Sequence, residues 1–145
     1  MLVYYIDSVG IVQHYLRNRL PLSPTYNILI IDDEPILLDL LADMLEPHRC
    51  SKASSFEDAC AYMTTEIFDV VVCDLMMPKI SGLDLYHQAV HKFPNLQNRF
   101  VFITGGMGDI QLEQQLEETK QMVLFKPFTI AHLQNTVDQV VQKFA

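Results

Sequence analysis

The chain has 145 residues, half of them apolar, with a formal net charge of -8 and a pI near 4.9. That length and apolar content give one domain with a substantial core and exclude a disordered chain, and an acidic surface repels nucleic-acid phosphate, so no direct DNA or RNA binding is expected. Cys50, Cys60 and Cys73 show no CxxC spacing and no paired His/Cys cluster, which argues against a zinc site or a disulfide framework and reads them as core thiols in a reducing compartment.

The amino-terminal stretch Leu2–Ile6 is apolar but short, has no basic residues before it, and is followed by Asp7, Gln13, His14, Arg17 and Arg19. It reads neither as a signal peptide nor as a membrane span, and nothing else reaches spanning length, so the expectation is a cytoplasmic protein with no membrane partner. Val9, Val12 and Leu16 recur at helical spacing and predict a short helix over 8–19. Pro21 and Pro24 favour an extended connection after it. The chain therefore divides into an appendage, 1–26, and a compact domain, 27–145.

From there strand and helix alternate. Ile28–Asp32 predicts the first strand, and Pro35 suits the first turn of a helix carrying Ile36, Leu37, Leu40, Leu41 and Met44 that stops near Pro47. Cys50–Ala53 is a weak second strand. Ser54 or Ser55 caps the next helix, with Glu57 and Asp58 in its first turn, where the helix dipole favours acids. Val70–Asp74 is a third strand, continuously apolar up to Asp74, as a strand covered on both faces should be. Gly82–Phe93 reads as a helix ended by Pro94, and Phe100–Thr104 as the fourth strand. Asp109–Glu118 is a helix with a very polar face, Met122–Phe125 the fifth strand, and Ile130–Phe144 a closing helix with Leu133, Val137, Val140 and Val141 on one side. Five strand–helix units with short connections imply an α/β fold with a parallel sheet and helices on both faces.

In such a sheet the carboxyl ends of the strands share one edge, and ligands bind there. Four apolar runs each deliver polar groups to that edge: Asp32-Asp33, Asp74, Thr104 and Lys126. Converging carboxylates repel and raise one another's proton affinity, so the trio makes sense with a cation between them. Oxygen ligands without a soft donor point to Mg²⁺ or Mn²⁺. Asp33 could serve partly as a helix cap, but Asp32, ending a buried strand, gains little from capping. A carboxylate beside such a cation can attack phosphorus and form an acyl phosphate. Lys126 fits as a counter-charge, with Pro127 as a cis or tight-turn proline fixing its direction. Thr104 can donate to a phosphoryl oxygen, or simply satisfy local backbone.

The constellation resembles the receiver domain of two-component response regulators, of which the chemotaxis response regulator is the simplest. The resemblance runs from about Asn27 to Phe144 and rests on Asp32-Asp33, on Asp74 with Pro78 and Gly82 four and eight residues beyond it, on Thr104, and on Lys126-Pro127-Phe128. It implies a flavodoxin-like, doubly wound, five-stranded sheet in the order 2-1-3-4-5. It implies that Asp74 accepts phosphoryl from a histidine kinase or histidine phosphotransfer domain. It gives Asp32, Asp33, Asp74 and the Met76 backbone carbonyl as ligands of Mg²⁺ (or Mn²⁺), with Thr104 and Lys126 contacting the phosphoryl group. A signalling module that phosphorylates and slowly dephosphorylates itself, with no dedicated enzymatic activity, follows. The downstream effector, dimerisation, and the choice between a stand-alone regulator and the receiver of a hybrid histidine kinase stay open.

Two positions depart from the family pattern. The family's aromatic switch position, three residues before the lysine, is Val123, and Gly105-Gly106-Met107-Gly108 follows the threonine where the family usually has Ala or Ser. Three other readings compete. A haloacid-dehalogenase-like aspartyl-phosphate hydrolase would need a second Asp where Met76 stands. A flavodoxin-like redox binder would need a hydroxyl-rich phosphate loop where Asp32-Asp33-Glu34-Pro35 lies. A docking pseudo-receiver would lack one of the acids or the lysine, and none is missing.

Overall fold

The structure, a computed structural model, describes residues 24–106 and 108–144. The helix expected over 8–19 and nearly all of the appendage lie outside the described residues. Five parallel strands form one sheet: β1 (Asn27–Ile31), β2 (Arg49–Ala53), β3 (Val70–Asp74), β4 (Phe100–Thr104) and β5 (Met122–Phe125). Their spatial order is β2-β1-β3-β4-β5, as the resemblance implies. The connecting helices are α1 (Pro35–Met44), α2 (Phe56–Thr65), α3 (Gly82–Lys92), α4 (Ile110–Thr119) and α5 (Ile130–Gln142). A single 3₁₀ turn, Pro94–Leu96, follows α3.

Alternation along each strand divides the core between the two faces. Leu29, Ile31, Val71, Cys73, Phe100 and Phe102 point to one side, where α2, α3 and α4 cover them. Ile28, Ile30, Val70, Val72, Val101 and Ile103 point to the other, against α1 and α5. The three central strands are buried throughout apart from the first residue of β1, which is why they read as unbroken apolar runs. At the edge, β5 is only half-buried and Phe125 is exposed, so its apolar sequence overstated its burial.

Helix boundaries follow the caps. Ser55, Ser81, Asp109 and Thr129 each accept a backbone N–H from the first turn of the helix they precede. Asp109 is thus a cap and not the first helical residue, and Ser55, not Ser54, caps α2. The phase of α1 differs from the expectation. Leu38, Leu41 and the following Leu45 enter the core, whereas Ile36 is 80% exposed and Leu40 51% exposed. Nearly every position of this helix is apolar, so periodicity alone could not select the inward stripe. Among the described residues no helix is long and apolar enough to cross a membrane.

Candidate phosphoryl-acceptor and metal site

Strand register brings the polar strand-end groups together. Ile31 pairs with Cys73, Asp74 with Ile103, and Thr104 with Phe125. Asp32, one residue beyond β1, therefore stands level with Asp74, the last residue of β3. Thr104 and Lys126 follow one and two steps farther along β4 and β5. One carboxylate oxygen from each of Asp32, Asp33 and Asp74 lies within 4.8 Å of the others.

The environments of the three acids differ. Asp32 is 2% exposed and Asp74 9%, while Asp33 faces solvent. Burial, with the charges of Asp74 and Asp33, pushes the Asp32 carboxyl up to about 6, against the opposing pull of the Glu34 N–H and Lys126. Burial likewise raises Asp74, opposed by the Met76 N–H and the charge of Lys126. The Glu34 N–H donates to Asp32 Oδ1 at 2.9 Å, and the Met76 N–H donates to Asp74 Oδ1 at 3.3 Å. Helix capping does not account for the acidic pair: the N-cap of α1 is Glu34, with no side-chain bond.

Two buried carboxylates beside a third, all hard oxygen donors, match the ligand chemistry of Mg²⁺ or Mn²⁺. The nearby soft donor does not compete. Cys73 is fully buried on the opposite side of β3, burial pushes its thiol far up, and its Sγ lies 3.4 Å from the Asp74 backbone oxygen. The core reading of this cysteine holds.

The family model for the response regulator receiver domain matches residues 28–138. The chain belongs to that family. Over 112 residues, 76% of its length, this receiver is 30% identical to the sensor histidine kinase RcsC of Salmonella typhi, of which it covers 12%. Over 71 residues, 48% of its length, it is 35% identical to the probable transcriptional regulatory protein TcrX of Mycobacterium tuberculosis, of which it covers 30%. It thus spans less than a third of the length of either relative. A crystal structure of a response regulator receiver domain protein from Clostridium thermocellum superimposes with a TM-score of 0.72 at 26% identity, covering 82% of this chain and 96% of that one.

The receiver's remaining motif residues have visible physical causes. A Cβ at Gly82 would collide with the backbone oxygen of Asp74 and come within 2.8 Å of Leu75 Cα. The Gly82 N–H donates to the Leu75 oxygen at 2.8 Å, so α3 starts directly against the backbone of Asp74 and Leu75. Eight-residue spacing reveals a glycine, but only the fold reveals what it accommodates. Thr104 is 1% exposed, and its hydroxyl both donates to the Gly106 oxygen and accepts from the Gly106 N–H, each at 3.3 Å. Gly106 has φ +146°, a conformation that favours glycine. The threonine thus satisfies local backbone in this state. Lys126 is exposed at the end of β5, its N–H donates to the Thr104 oxygen at 2.8 Å, and the Lys126–Pro127 peptide is cis.

One feature beside the site escaped the sequence reading. A cleft of about 270 Å³ runs between α1 and the segment after β5, with Leu37, Leu40, Met44 and Phe128 along it and Asp32 and Lys126 at its border. Its signal was present as surplus apolar residues on α1, more than one buried stripe can use.

Proposed function

We propose that Asp74 is the phosphoryl acceptor of this receiver and that the acidic cluster is its Mg²⁺ (or Mn²⁺) site. The observation that carries the reading is the convergence of Asp32, Asp33 and Asp74 within 4.8 Å at the carboxyl edge of the sheet. A divalent cation held by these acids and the Met76 backbone carbonyl would neutralise charge between carboxylate and phosphoryl oxygens. An Asp74 carboxylate oxygen attacks the phosphorus of a phosphohistidine, the P–N bond breaks with its electrons returning to the imidazole, and an acyl phosphate forms. Lys126 meets the incoming charge. The Thr104 hydroxyl leaves Gly106 and donates to a phosphoryl oxygen. Slow autodephosphorylation resets the state.

The donor is a histidine kinase or a histidine phosphotransfer domain in the cytoplasm. Exposed Ile36 and Leu40, with the adjoining cleft, give it an apolar landing surface beside Asp32 and Lys126. Acetyl phosphate with Mg²⁺ tests the chemistry without a donor protein. Intact-mass analysis should show one base-labile phosphoryl group, absent in Asp74→Asn and suppressed in Asp33→Asn together with metal binding. Modification that persists in Asp74→Asn overturns the assignment.

A further inference from the structure

The two ends of α4 are held very differently. Leu116, one turn from the carboxyl end, is its only buried residue, Leu112 is half-buried, and Ile110 at the amino end is exposed. A groove of about 440 Å³ lies between α4 and β5, lined by Glu113, Leu116, Glu117, Gln121, Val123 and Phe125. Gly105, Gly106 and Gly108 precede the helix, and a Cβ at any of them would meet nothing within 4 Å. Among the described residues, 109–113 bond only within the helix and its cap. The Asp109 carboxylate accepts the Gln111 N–H at 2.9 Å, and the Asp109 backbone oxygen accepts the Glu113 N–H at 3.1 Å.

The carboxyl end is anchored. The half-buried Gln121 ties it to the start of β4. Its Nε2 donates to the Thr119 oxygen at 2.8 Å and to Asn98 Oδ1 at 3.3 Å. Its Oε1 accepts the N–H of Phe100, the first residue of β4, at 3.1 Å. Its own N–H donates to Thr119 Oγ1 at 3.2 Å, and that hydroxyl donates to the Leu116 oxygen at 2.6 Å.

Phe100 begins β4 and Thr104 ends it. Helix and strand are therefore joined twice, by the glycine loop beside the acidic site and by Gln121 at the far end. A loose joint and a fixed joint make a lever. We propose that Gln121 is the pivot of α4: the helix swings about its carboxyl end, and the amino end at the glycine loop carries most of the movement. At ~1.5 Å per residue α4 is about 15 Å long, so a tilt of roughly 10° moves its amino end by about 3 Å. That is the scale of the 3.3 Å bonds between Thr104 and Gly106. The inference rests on the Asp74 reading only for what starts the swing, since the pivot itself belongs to the resting chain.

Two variants test it. Gln121→Glu keeps an acceptor for the Phe100 N–H but loses both Nε2 donors, so β4 stays in place while α4 is released. Gln121→Ala loses both links. In the resting chain, amide hydrogen exchange at residues 116–121 should quicken about tenfold in either variant, with residues 70–74 unchanged. Beryllium fluoride with Mg²⁺, as a phosphoryl mimic, should shift amide resonances of the native chain from residue 104 into α4, fading before 119. In the variants the shifts should extend through 121. Equal exchange at 116–121 in the native chain and Gln121→Glu overturns the pivot. So does a mimic response at 119–121 as large in the native chain as in the variants. No mimic response in the native chain, with faster exchange in the variants, would strike the Asp74 reading and leave the pivot standing.

Discussion

Asp32 carries a cost of gathering three acids at one edge. Its carboxyl sits at about 6 in the folded chain, against an ordinary value of 3.8. Between those values the folded chain keeps a proton that the unfolded chain has released, so stability falls as pH rises through the window, and the full cost is present above pH 6. In chelator, the Asp32→Asn chain should therefore gain stability over the native one as pH goes from 4 to 7, on the order of a few degrees in Tm. Adding Mg²⁺ should close the gap by stabilising the native carboxylates. Parallel melting curves across that pH range would remove Asp32 from this role. Gly82 makes a complementary residue-scale case. Gly82→Ala should destabilise by about 1–3 kcal/mol, because the colliding atoms are backbone and cannot rotate away. It should also slow phosphorylation by moving Asp74. Gly105→Ala, with nothing within 4 Å of the added Cβ, should change stability little. Chemical denaturation of the pair checks the contrast, and equal losses would contradict it.

Elements were legible in proportion to how one-sided their environment is. For β3 and β4, buried at every position, the apolar runs gave the bounds residue for residue. For β5 the same kind of run marked an edge strand, since sequence does not say what lies beside a strand. The face of α5 formed by Leu133, Val137 and Val140 was readable because polar residues separate them, whereas the apolar surplus of α1 hid which stripe is buried and which is left for contact. The polar α4 was readable as a helix, but its loose seating was not. A second groove of about 560 Å³ separates it from α3, so it has open space on both flanks. With Val123 where the family's aromatic switch residue stands, the loop and α4 are expected to move more than the side chain at 123. Phosphoryl on Asp74 should draw Thr104 off Gly106 and carry residues 104–118 with it. Amide hydrogen exchange with a phosphoryl mimic and Mg²⁺ should change protection across that stretch, and changes confined to residues 74–82 would refute a loop-driven switch.

At the scale of the whole molecule, the proposed function divides between the two faces of the sheet. Its α1–α5 side meets the carboxyl edge at the apolar cleft beside Asp32 and Lys126, and its α4 side meets the same edge through Thr104 and the glycine loop. The gathering of the strand-end residues was visible in sequence because parallel strands in register turn them into neighbours, however far apart they lie in the chain. The exposed apolar stripe of α1, proposed above as the donor surface, was not visible, because it depends on the phase of one apolar helix. Separating the two faces gives a specific expectation. Ile36→Asp with Leu40→Asp places charges on side chains that are exposed and outside the core, so folding and phosphorylation by acetyl phosphate should be unchanged. Transfer from a phosphohistidine protein should fall about tenfold or more, the effect of losing a central apolar anchor worth more than ~1.4 kcal/mol. Parallel time courses with the two donors measure this. Equal slowing with both would place the effect in the chemistry, and no slowing with the protein donor would take the landing surface off α1.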